Sequence, residues 1–235
     1  MNSDVGLKCD LMFDTLKLSD PAKRQCVILR KPSSTRPSVW LVEENSIRAI
    51  VKDFSTNRFL FRNTIGRFLV WREAKAYKKM NGLRGVPVLY RVIGGLALVI
   101  EDIPGIDLEE AEHETKLPDG FFDALKKVVD SFHERGVAHC DLKRAPNILV
   151  GHDGNPYVID WAAAIFRNEC RIPPFNLIYR RFLLDDYNAI TKRKMRLSPE
   201  LVTPEERTLY DHRSWPERAI RGFRDRLRGF IQKVA

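Results

Sequence analysis

The residues with the clearest chemical potential lie in the stretch HCDLKRAPNIL, residues 139 to 149, near the middle of the chain. It places His139, Asp141, Lys143 and Asn147 close together and then becomes apolar. One interpretation is an active-site loop. The other is an ordinary solvated turn before a buried strand, because Asp and Asn side chains also bond to nearby backbone in turns. A histidine and an aspartate two residues apart do not decide between these interpretations.

A second carboxylate, Asp160, ends the apolar run YVID, one predicted hairpin after Asn147. An aspartate at the end of a buried strand costs free energy unless something pairs with it. Asn147 opens one strand of the hairpin and Asp160 ends the other, so both side chains can face one pocket. An amide oxygen and a carboxylate suit Mg²⁺, which completes its shell with water and phosphate oxygens. The alternative is that Asp160 caps the turn that follows.

A charged pair is predicted further upstream. Lys52 ends the apolar run IRAIVK, and Glu73 lies on the helix predicted to follow. A lysine on a buried strand needs an anionic partner. Together the two residues would hold an ammonium group against phosphates; the alternative is two unrelated surface charges.

The elements around these residues differ between the two halves of the chain. The sequence of the front half predicts strands and one helix. The helix is predicted because apolar residues from Ile65 to Met80 recur at helical spacing, and Asn81-Gly82 is expected to end it. The predicted strands, which include two hairpins, are residues 26–31, 39–44, 47–54, 86–93 and 96–102.

The sequence of the back half predicts helices before and after one hairpin. Phe121 to Phe132 form an apolar helix face, with Asp119 as its expected cap and Gly136 as its expected end. The runs NILV and YVIDW predict two strands, and basic helices are expected from about Phe175. The predicted fold is therefore α+β and two-lobed: a strand-rich N-lobe of residues 1–103 and a helical C-lobe of residues 104–235. Nucleotides commonly bind in clefts of such folds.

Composition narrows the partners and the compartment. The chain has 235 residues, 44% of them hydrophobic, which suffices for a substantial core. Its formal charge of +9 favours anionic partners such as nucleotides, nucleic acid or an acidic membrane surface. Four scattered cysteines without a CxxC pair argue against a disulfide framework or a zinc site. No secretory signal or membrane span is predicted, so a cytoplasmic location is expected.

Taken in order, these residues resemble the protein-kinase-like family. Its pattern is a strand lysine, a helix glutamate, an HRD-type loop with a downstream asparagine, and a metal-binding aspartate after the next hairpin. The matches are AIVK with Lys52, REAKAY with Glu73, HCDLKRAPN, and IDWAAA with Asp160, over about residues 26 to 165. The loop and the IDW ending look more like lipopolysaccharide-kinase, RIO-like and other small-molecule phosphotransferase branches than like eukaryotic protein kinases.

The resemblance implies an ATP- and Mg²⁺-dependent kinase. Asp141 would accept or orient the proton of the acceptor hydroxyl, and Lys143 would reach the γ-phosphate as a point charge. Asn147 and Asp160 would hold Mg²⁺. Lys52, braced by Glu73, would bind the α- and β-phosphates. His139 would support the loop, and the remaining implied ATP contacts are Val39, Ile50, Leu149 and the backbone of Glu101 to Ile103.

Several features depart from the family pattern. The turn PSSTRPS replaces the glycine-rich phosphate loop, and Cys140 replaces the HRD arginine, so control by a phosphorylated activation loop is not expected. One extra residue separates Asp141 from Asn147, which Pro146 would absorb by fixing the turn. No APE motif follows Asp160, so the usual platform for a peptide substrate is not expected.

Three functions remain open on these grounds. The first is a kinase that acts on a hydroxyl of a lipopolysaccharide-type sugar, another small molecule or a protein Ser/Thr. The second is a pseudokinase or scaffold that binds nucleotide with little turnover, which the altered phosphate loop favours. The third is a RIO-like ATPase that acts in the assembly of an RNA-containing complex, which the positive charge permits.

The C-terminal segment RSWPERAIRGFRDRLRGFIQKVA predicts an amphipathic helix with a basic face. It would either pack on the C-lobe or lie on an anionic membrane surface, which would place the protein peripherally at the inner membrane. Binding of nucleic acid is not expected, because only charge supports it. The run TKRKMR, residues 191 to 196, is expected to add positive charge for an acidic or phosphorylated acceptor.

Overall fold

The computed structural model describes Phe13, Leu16, residues 27–114 and residues 117–211. The chain divides into two compact units. The first comprises the chain up to Gly82 together with Pro87–Ile103, and the second comprises Leu83–Val86 together with the chain from Pro104 onward. The first carries a five-stranded sheet and the second is mainly helical. The predicted α+β class, with a strand-rich N-terminal part and a helical C-terminal part, is confirmed.

The strands of the first unit are β1 Val27–Arg30, β2 Ser38–Glu44, β3 Ile47–Asp53, β4 Leu89–Ile93 and β5 Ala97–Glu101. They form an antiparallel sheet with strand order β1-β2-β3-β5-β4. Both predicted hairpins are present. The β2–β3 turn is closed by Asn45 and Ser46, which have φ angles of 54° and 62°. Two such residues in succession match the twist of a tight hairpin.

The two faces of this sheet have different environments. Residues of β2 and β3 alternate between them, and one face contributes Trp40, Val42 and Val51 to a buried core. Phe13 and Leu16 complete that core and are 3% and 2% exposed. Lys52 points to the opposite face, since its neighbour Val51 belongs to the core. The core that contains Trp40, Val42 and Val51 therefore lies on the face of the sheet opposite to Lys52.

Helix α1, Arg67–Met80, follows the sheet strand that carries Lys52. It is preceded by a short helical segment, Phe59–Phe61, and a π-helical turn, Arg62–Gly66. The helix ends before Asn81, as predicted. Its buried residues are Val70, Glu73, Ala74, Ala76, Tyr77 and Met80.

The central helix of the second unit, α3, spans Phe121–Glu134, after a short helix α2, Leu108–Glu114. The prediction that Asp119 caps α3 is wrong. Gly120 occupies the cap position with φ 73°, and no side chain bonds to the first turn. A left-handed backbone suits glycine because it has no Cβ. Gly136, with φ 72°, follows the end of the helix as predicted.

The predicted hairpin of the second unit is present as β8 (Ile148–Gly151) and β9 (Pro156–Val158), and a third strand, β6 (Gly105–Asp107), pairs with β8. Gly85 accepts a hydrogen bond from the backbone N–H of Val158 in β9 (2.8 Å), which ties the segment Leu83–Val86 to this unit. The strands are β6 Gly105–Asp107, β7 Val137–Ala138, β8 Ile148–Gly151, β9 Pro156–Val158 and β10 Ile165–Phe166.

A long helix, α4 (Phe175–Leu197), and a shorter one, α5 (Pro204–Asp211), complete the described part of the second unit. The predicted basic helix at the C-terminus lies outside the described residues. No helix within residues 27–114 and 117–211 is long and apolar enough to cross a membrane.

Candidate active site

Lys52 and Glu73 form a close ion pair inside the first unit. The Lys52 Nζ donates to Glu73 Oε1 at 2.6 Å. Their side chains are 12% and 3% exposed. A carboxylate this deeply buried is costly unless a cation compensates it. The pair therefore fixes the ammonium group on the face of β3 opposite to the apolar core.

The residues expected around adenine lie in both units. Val39 pairs directly with Lys52 in the β2–β3 register, so their side chains share one face of the sheet. Ile50, two residues before Lys52, lies on the same face. Val39 and Ile50 are half-buried, as is Leu149, which belongs to β8 of the second unit. Whether these side chains contact a nucleotide remains a prediction.

The segment Glu101–Ile103 begins with the last residue of β5. The backbone N–H of Glu101 donates to Val88 O at 2.8 Å, and the Glu101 carboxylate accepts from Val88 N–H at 3.0 Å. The backbone N–H of Asp102 donates to Arg48 O at 3.3 Å. These bonds fix the backbone direction of this segment within the first unit.

The turn PSSTRPS, residues 32 to 38, is closed by its own hydrogen bonds. The backbone N–H of Ser33 donates to Arg36 O at 3.1 Å, and the Arg36 N–H donates to Ser33 Oγ at 3.2 Å. Asn57, only 6% exposed, donates from Nδ2 to the carbonyls of Ser33 (2.6 Å) and Arg36 (3.1 Å). Asn57 therefore holds the turn from outside, a role that the sequence did not reveal because the contact joins distant residues.

Asp53, next to Lys52, is an internal carboxylate. Burial raises the pKa of Asp53, and the Ser55 N–H that donates to its Oδ1 at 2.7 Å opposes that shift. Asp53 bonds to Ser55, two residues later, so it stabilises the turn that follows β3.

His139 is the buried support of the central loop. It is 0% exposed. Its Nδ1 accepts a hydrogen bond from the backbone N–H of Asp141 at 3.2 Å. Its Nε2 lies 2.9 Å from the carbonyl of Ile159. Since Nδ1 accepts, Nε2 is the nitrogen that carries the proton and donates to this carbonyl. One imidazole thus joins the loop of Asp141 to the residue that precedes Asp160.

Asn147 lies beside the same two segments. Its Nδ2 donates to the carbonyl of Asp141 at 3.0 Å, and its own carbonyl accepts from the Ile159 N–H at 3.0 Å. The extra residue of the loop is accommodated by a 3₁₀ turn, Ala145–Asn147, that contains Pro146. Asp141, Asn147 and the residue before Asp160 are therefore joined by hydrogen bonds within one unit.

The donor chemistry of Asn147 and Asp160 fits Mg²⁺. The amide nitrogen of Asn147 is directed to Asp141 O, so its oxygen lies on the other branch of the amide. The described residues contain no group of three or more His, Cys, Asp or Glu side chains arranged for a metal. One amide oxygen and one carboxylate suffice as protein ligands for Mg²⁺, because Mg²⁺ keeps several water and phosphate ligands.

Two residues of this region have an uncommon backbone conformation. Cys140 and Asp160 both have φ 67°, in the left-handed region. Non-glycine residues seldom adopt it, and such strain is concentrated at functional sites. The two strained residues directly adjoin His139 and Ile159, which the imidazole bond joins.

Asp186 in α4 is a site residue that the sequence did not identify. It is 1% exposed and accepts three hydrogen bonds, from His139 N–H (2.8 Å), Cys140 N–H (3.0 Å) and His133 Nε2 (3.0 Å). The available signal was the acidic pair in the largely apolar run FLLDDYNAI. Sequence alone does not say which acid of the pair faces inward; Asp185 instead pairs with Arg181 on the same helix.

A second tether from α4 reaches the other end of the loop. Arg193 donates from Nη2 to the carbonyl of Lys143 at 2.9 Å and from Nη1 to Glu112 Oε1 at 2.8 Å. The side chain of Lys143 is exposed while its carbonyl is held. Lys194 pairs with Glu206 at 2.9 Å. The expectation that the run 191–196 serves an acidic acceptor is therefore corrected for Arg193 and Lys194, which are buried and paired within the protein.

The comparisons with known proteins identify one short region of similarity. No protein-family model matches the chain. The serine/threonine-protein kinase PknD of Chlamydia trachomatis serovar D is 47% identical over 47 residues, which are 20% of this chain and 5% of that protein. PknD of Chlamydia muridarum is 45% identical over the same length. A short segment of this chain is similar to a serine/threonine kinase. The chain thus covers about 5% of the length of the curated relatives that it matches.

Proposed function

We propose that this protein is an ATP- and Mg²⁺-dependent kinase that transfers the γ-phosphate of ATP to a hydroxyl group. The observation that carries the proposal is the hydrogen-bonded arrangement that joins Asp141, Asn147 and Ile159 through His139. The Lys52–Glu73 pair and the partial similarity to a serine/threonine kinase support it.

Asp141 is the proposed general base. Its backbone is held on both sides, by His139 and by Asn147. Its side chain is 19% exposed, and its Oδ2 lies 3.6 Å from Nη1 of Arg144. The carboxylate would take the proton of the acceptor hydroxyl as the hydroxyl oxygen forms a bond to the γ-phosphorus. The bond from that phosphorus to the bridging oxygen of ADP breaks in the same transfer. Such a reaction depends on positioning and charge neutralisation more than on covalent chemistry.

The remaining residues would bind ATP. Lys52 would neutralise the α- and β-phosphates, and Lys143 the γ-phosphate. Asn147 and Asp160 would hold Mg²⁺, which supplies charge neutralisation on the phosphates when bound. The proposed adenine contacts are Val39, Ile50, Leu149 and the backbone of Glu101–Ile103.

The acceptor class is the finer part of the proposal. The sequence pattern around Asp160 favours a sugar hydroxyl of a lipopolysaccharide-type lipid. The curated relatives are named serine/threonine-protein kinases, which makes a protein Ser/Thr the other acceptor to test.

The function is tested by transfer from γ-labelled ATP to a core-sugar glycolipid and to a Ser/Thr protein substrate, with and without Mg²⁺. The wild-type protein is expected to transfer the labelled phosphate to one of the two acceptors. This transfer is expected only in the presence of Mg²⁺. The Lys52→Met variant is expected to lose roughly 100-fold in transfer, because an electrostatic contact to the phosphates is removed. Lys127→Met, at an exposed position of α3, is the matched control and should retain wild-type transfer.

Two outcomes would contradict the kinase proposal. Nucleotide binding without transfer to either acceptor would favour the pseudokinase alternative. Hydrolysis of ATP that depends on added RNA-containing complexes, without an acceptor, would favour the ATPase alternative.

We expect Asp160→Asn to abolish the effect of Mg²⁺ on nucleotide binding. The amide keeps the size of the side chain but loses the negative charge that a hard cation prefers. Thermal-shift titrations with ATP, with and without Mg²⁺, measure the change against Asp119→Asn, an exposed aspartate of the same unit. Equal Mg²⁺ enhancement in wild type and Asp160→Asn would show that Asp160 is not a metal ligand.

A further inference from the structure

Four large apolar side chains are exposed around the outer side of α1 and the helical turns before it. The exposed fractions are 67% for Phe59, 76% for Leu60, 55% for Phe68 and 53% for Trp71. Single exposed apolar residues are ordinary on protein surfaces. Here, however, Phe68 and Trp71 are three residues apart and share one side of α1, and Phe59 and Leu60 lie in the helical segment just before it. The rings of Phe68 and Trp71 also lie together, with centroids 5.9 Å apart.

The charges of this segment have one sign. Residues 54–80 contain a single acidic residue, Glu73, whose side chain is 3% exposed and already paired with Lys52. Two cations lie over exposed rings, Arg62 over Phe59 at 5.4 Å and Lys75 over Trp71 at 5.2 Å. The cations of the segment are Arg58, Arg62, Arg67, Arg72, Lys75, Lys78 and Lys79.

The exposed apolar side chains and the positive charge of this segment together discriminate between classes of binding partner. A second copy of the chain docked on the same face would bring cations against cations, which opposes association. A nucleic acid would satisfy the charges, but it offers little to a side chain such as Leu60. Aromatic side chains at the level of lipid headgroups, with lysine and arginine beside them, suit an anionic bilayer surface.

We propose that this face, formed by Phe59, Leu60, Phe68 and Trp71 with the cations around them, binds peripherally to an anionic membrane surface. The rings and Leu60 would enter the boundary between headgroups and acyl chains, and the cations would contact anionic headgroups. The inner side of α1 is occupied by its own core, so the helix would bind as part of the folded unit. This surface is distinct from the C-terminal segment and does not depend on the proposed kinase activity.

The test is cosedimentation of the full chain with vesicles of phosphatidylglycerol and phosphatidylcholine, without ATP. Wild type is expected to bind these vesicles and not vesicles of phosphatidylcholine alone. The double variant Phe68→Ser/Trp71→Ser should lose about tenfold or more in partitioning, because two large apolar groups no longer enter the lipid. The control Ile172→Ser/Leu209→Ser changes residues of the second unit that are 72% and 65% exposed, and it should bind as wild type.

Trp71 supplies a second readout. Trp40 and Trp161 are 2% and 0% exposed, so they report little on a lipid surface. In a Trp215→Phe background, quenching of fluorescence by brominated phosphatidylglycerol is expected, and it should disappear when Trp71→Phe is added. Circular dichroism of each variant shows that loss of binding is not loss of fold.

Three results would overturn the proposal. One is equal vesicle binding by wild type and Phe68→Ser/Trp71→Ser. Another is binding that is lost only when the chain is cut before Ser214, which assigns it to the C-terminal segment. The third is binding to a soluble polyanion such as heparin without binding to anionic vesicles.

Discussion

Asp141→Asn is expected to lower the rate of phosphate transfer by roughly 10²- to 10⁴-fold, the range for loss of a general base. An amide has the size of the carboxylate but cannot take up the hydroxyl proton. The hydrogen bonds from His139 and Asn147 reach its backbone N–H and carbonyl, so they should persist in the variant. Only the 3.6 Å ion pair of its carboxylate with Arg144 is weakened by the substitution. Single-turnover transfer at saturating ATP measures the chemical step, and ATP affinity should stay close to that of wild type.

Asp123→Asn is the matched control for this experiment. Asp123 is exposed in the first turn of α3 and should tolerate the same substitution without effect on transfer. If Asp141→Asn retained the wild-type rate, Asp141 would not be the base. A large loss of ATP affinity with an unchanged single-turnover rate would instead place it among the binding residues.

Asp186→Ala is expected to reduce the free energy of unfolding by about 3 kcal/mol or more. It removes one buried acceptor that serves the N–H groups of His139 and Cys140 and the ring of His133. Each buried donor left without a partner costs roughly 1–3 kcal/mol. Asp186→Asn should also destabilise, because its NH₂ group meets N–H donors. Urea denaturation measures both changes as a lower midpoint.

The neighbouring substitution Asp185→Asn provides a control with the same chemistry one residue away. Asp185 is 26% exposed and pairs with Arg181 within α4 at 2.8 Å. A partly exposed pair of this kind contributes about 1 kcal/mol or less. Equal destabilisation by Asp185→Asn and Asp186→Asn would contradict the anchoring role of Asp186. Transfer activity should fall with Asp186→Asn and not with Asp185→Asn, because only Asp186 bonds to the central loop.

Much of the fold could be predicted because its strands, turns and helices depend on residues that are close together in the sequence. The hairpins were visible because strand alternation and turn residues are encoded within a few positions, as at Asn45 and Ser46. Lys52, Glu73, Asn147 and Asp160 could be proposed because each stands at a recognisable place in an element. Their roles in binding and catalysis remain predictions.

Other features depend on contacts that no local pattern encodes. Asp186 bonds to residues 47 and 46 positions earlier in the chain, and Arg193 bonds to a carbonyl 50 positions earlier. The cap of α3 was misassigned because Asp119 is a good capping residue by type, whereas the observed backbone places Gly120 there. Arg193 and Lys194 are buried, although the basic run 191–196 suggested that they lie on the surface. The run does not reveal which of its members face the interior.

The two tethers from α4 have a consequence for how the chain tolerates changes in length. Asp186 and Arg193 lie two helical turns apart, roughly 10 Å along the axis. They hold opposite ends of the loop, at His139 and Cys140 and at Lys143. Insertion of one residue between them would rotate one tether by about 100° relative to the other. This stretch of α4 is therefore constrained in length as well as in composition, whereas an added residue in an exposed turn such as His152–Asn155 leaves both tethers in register.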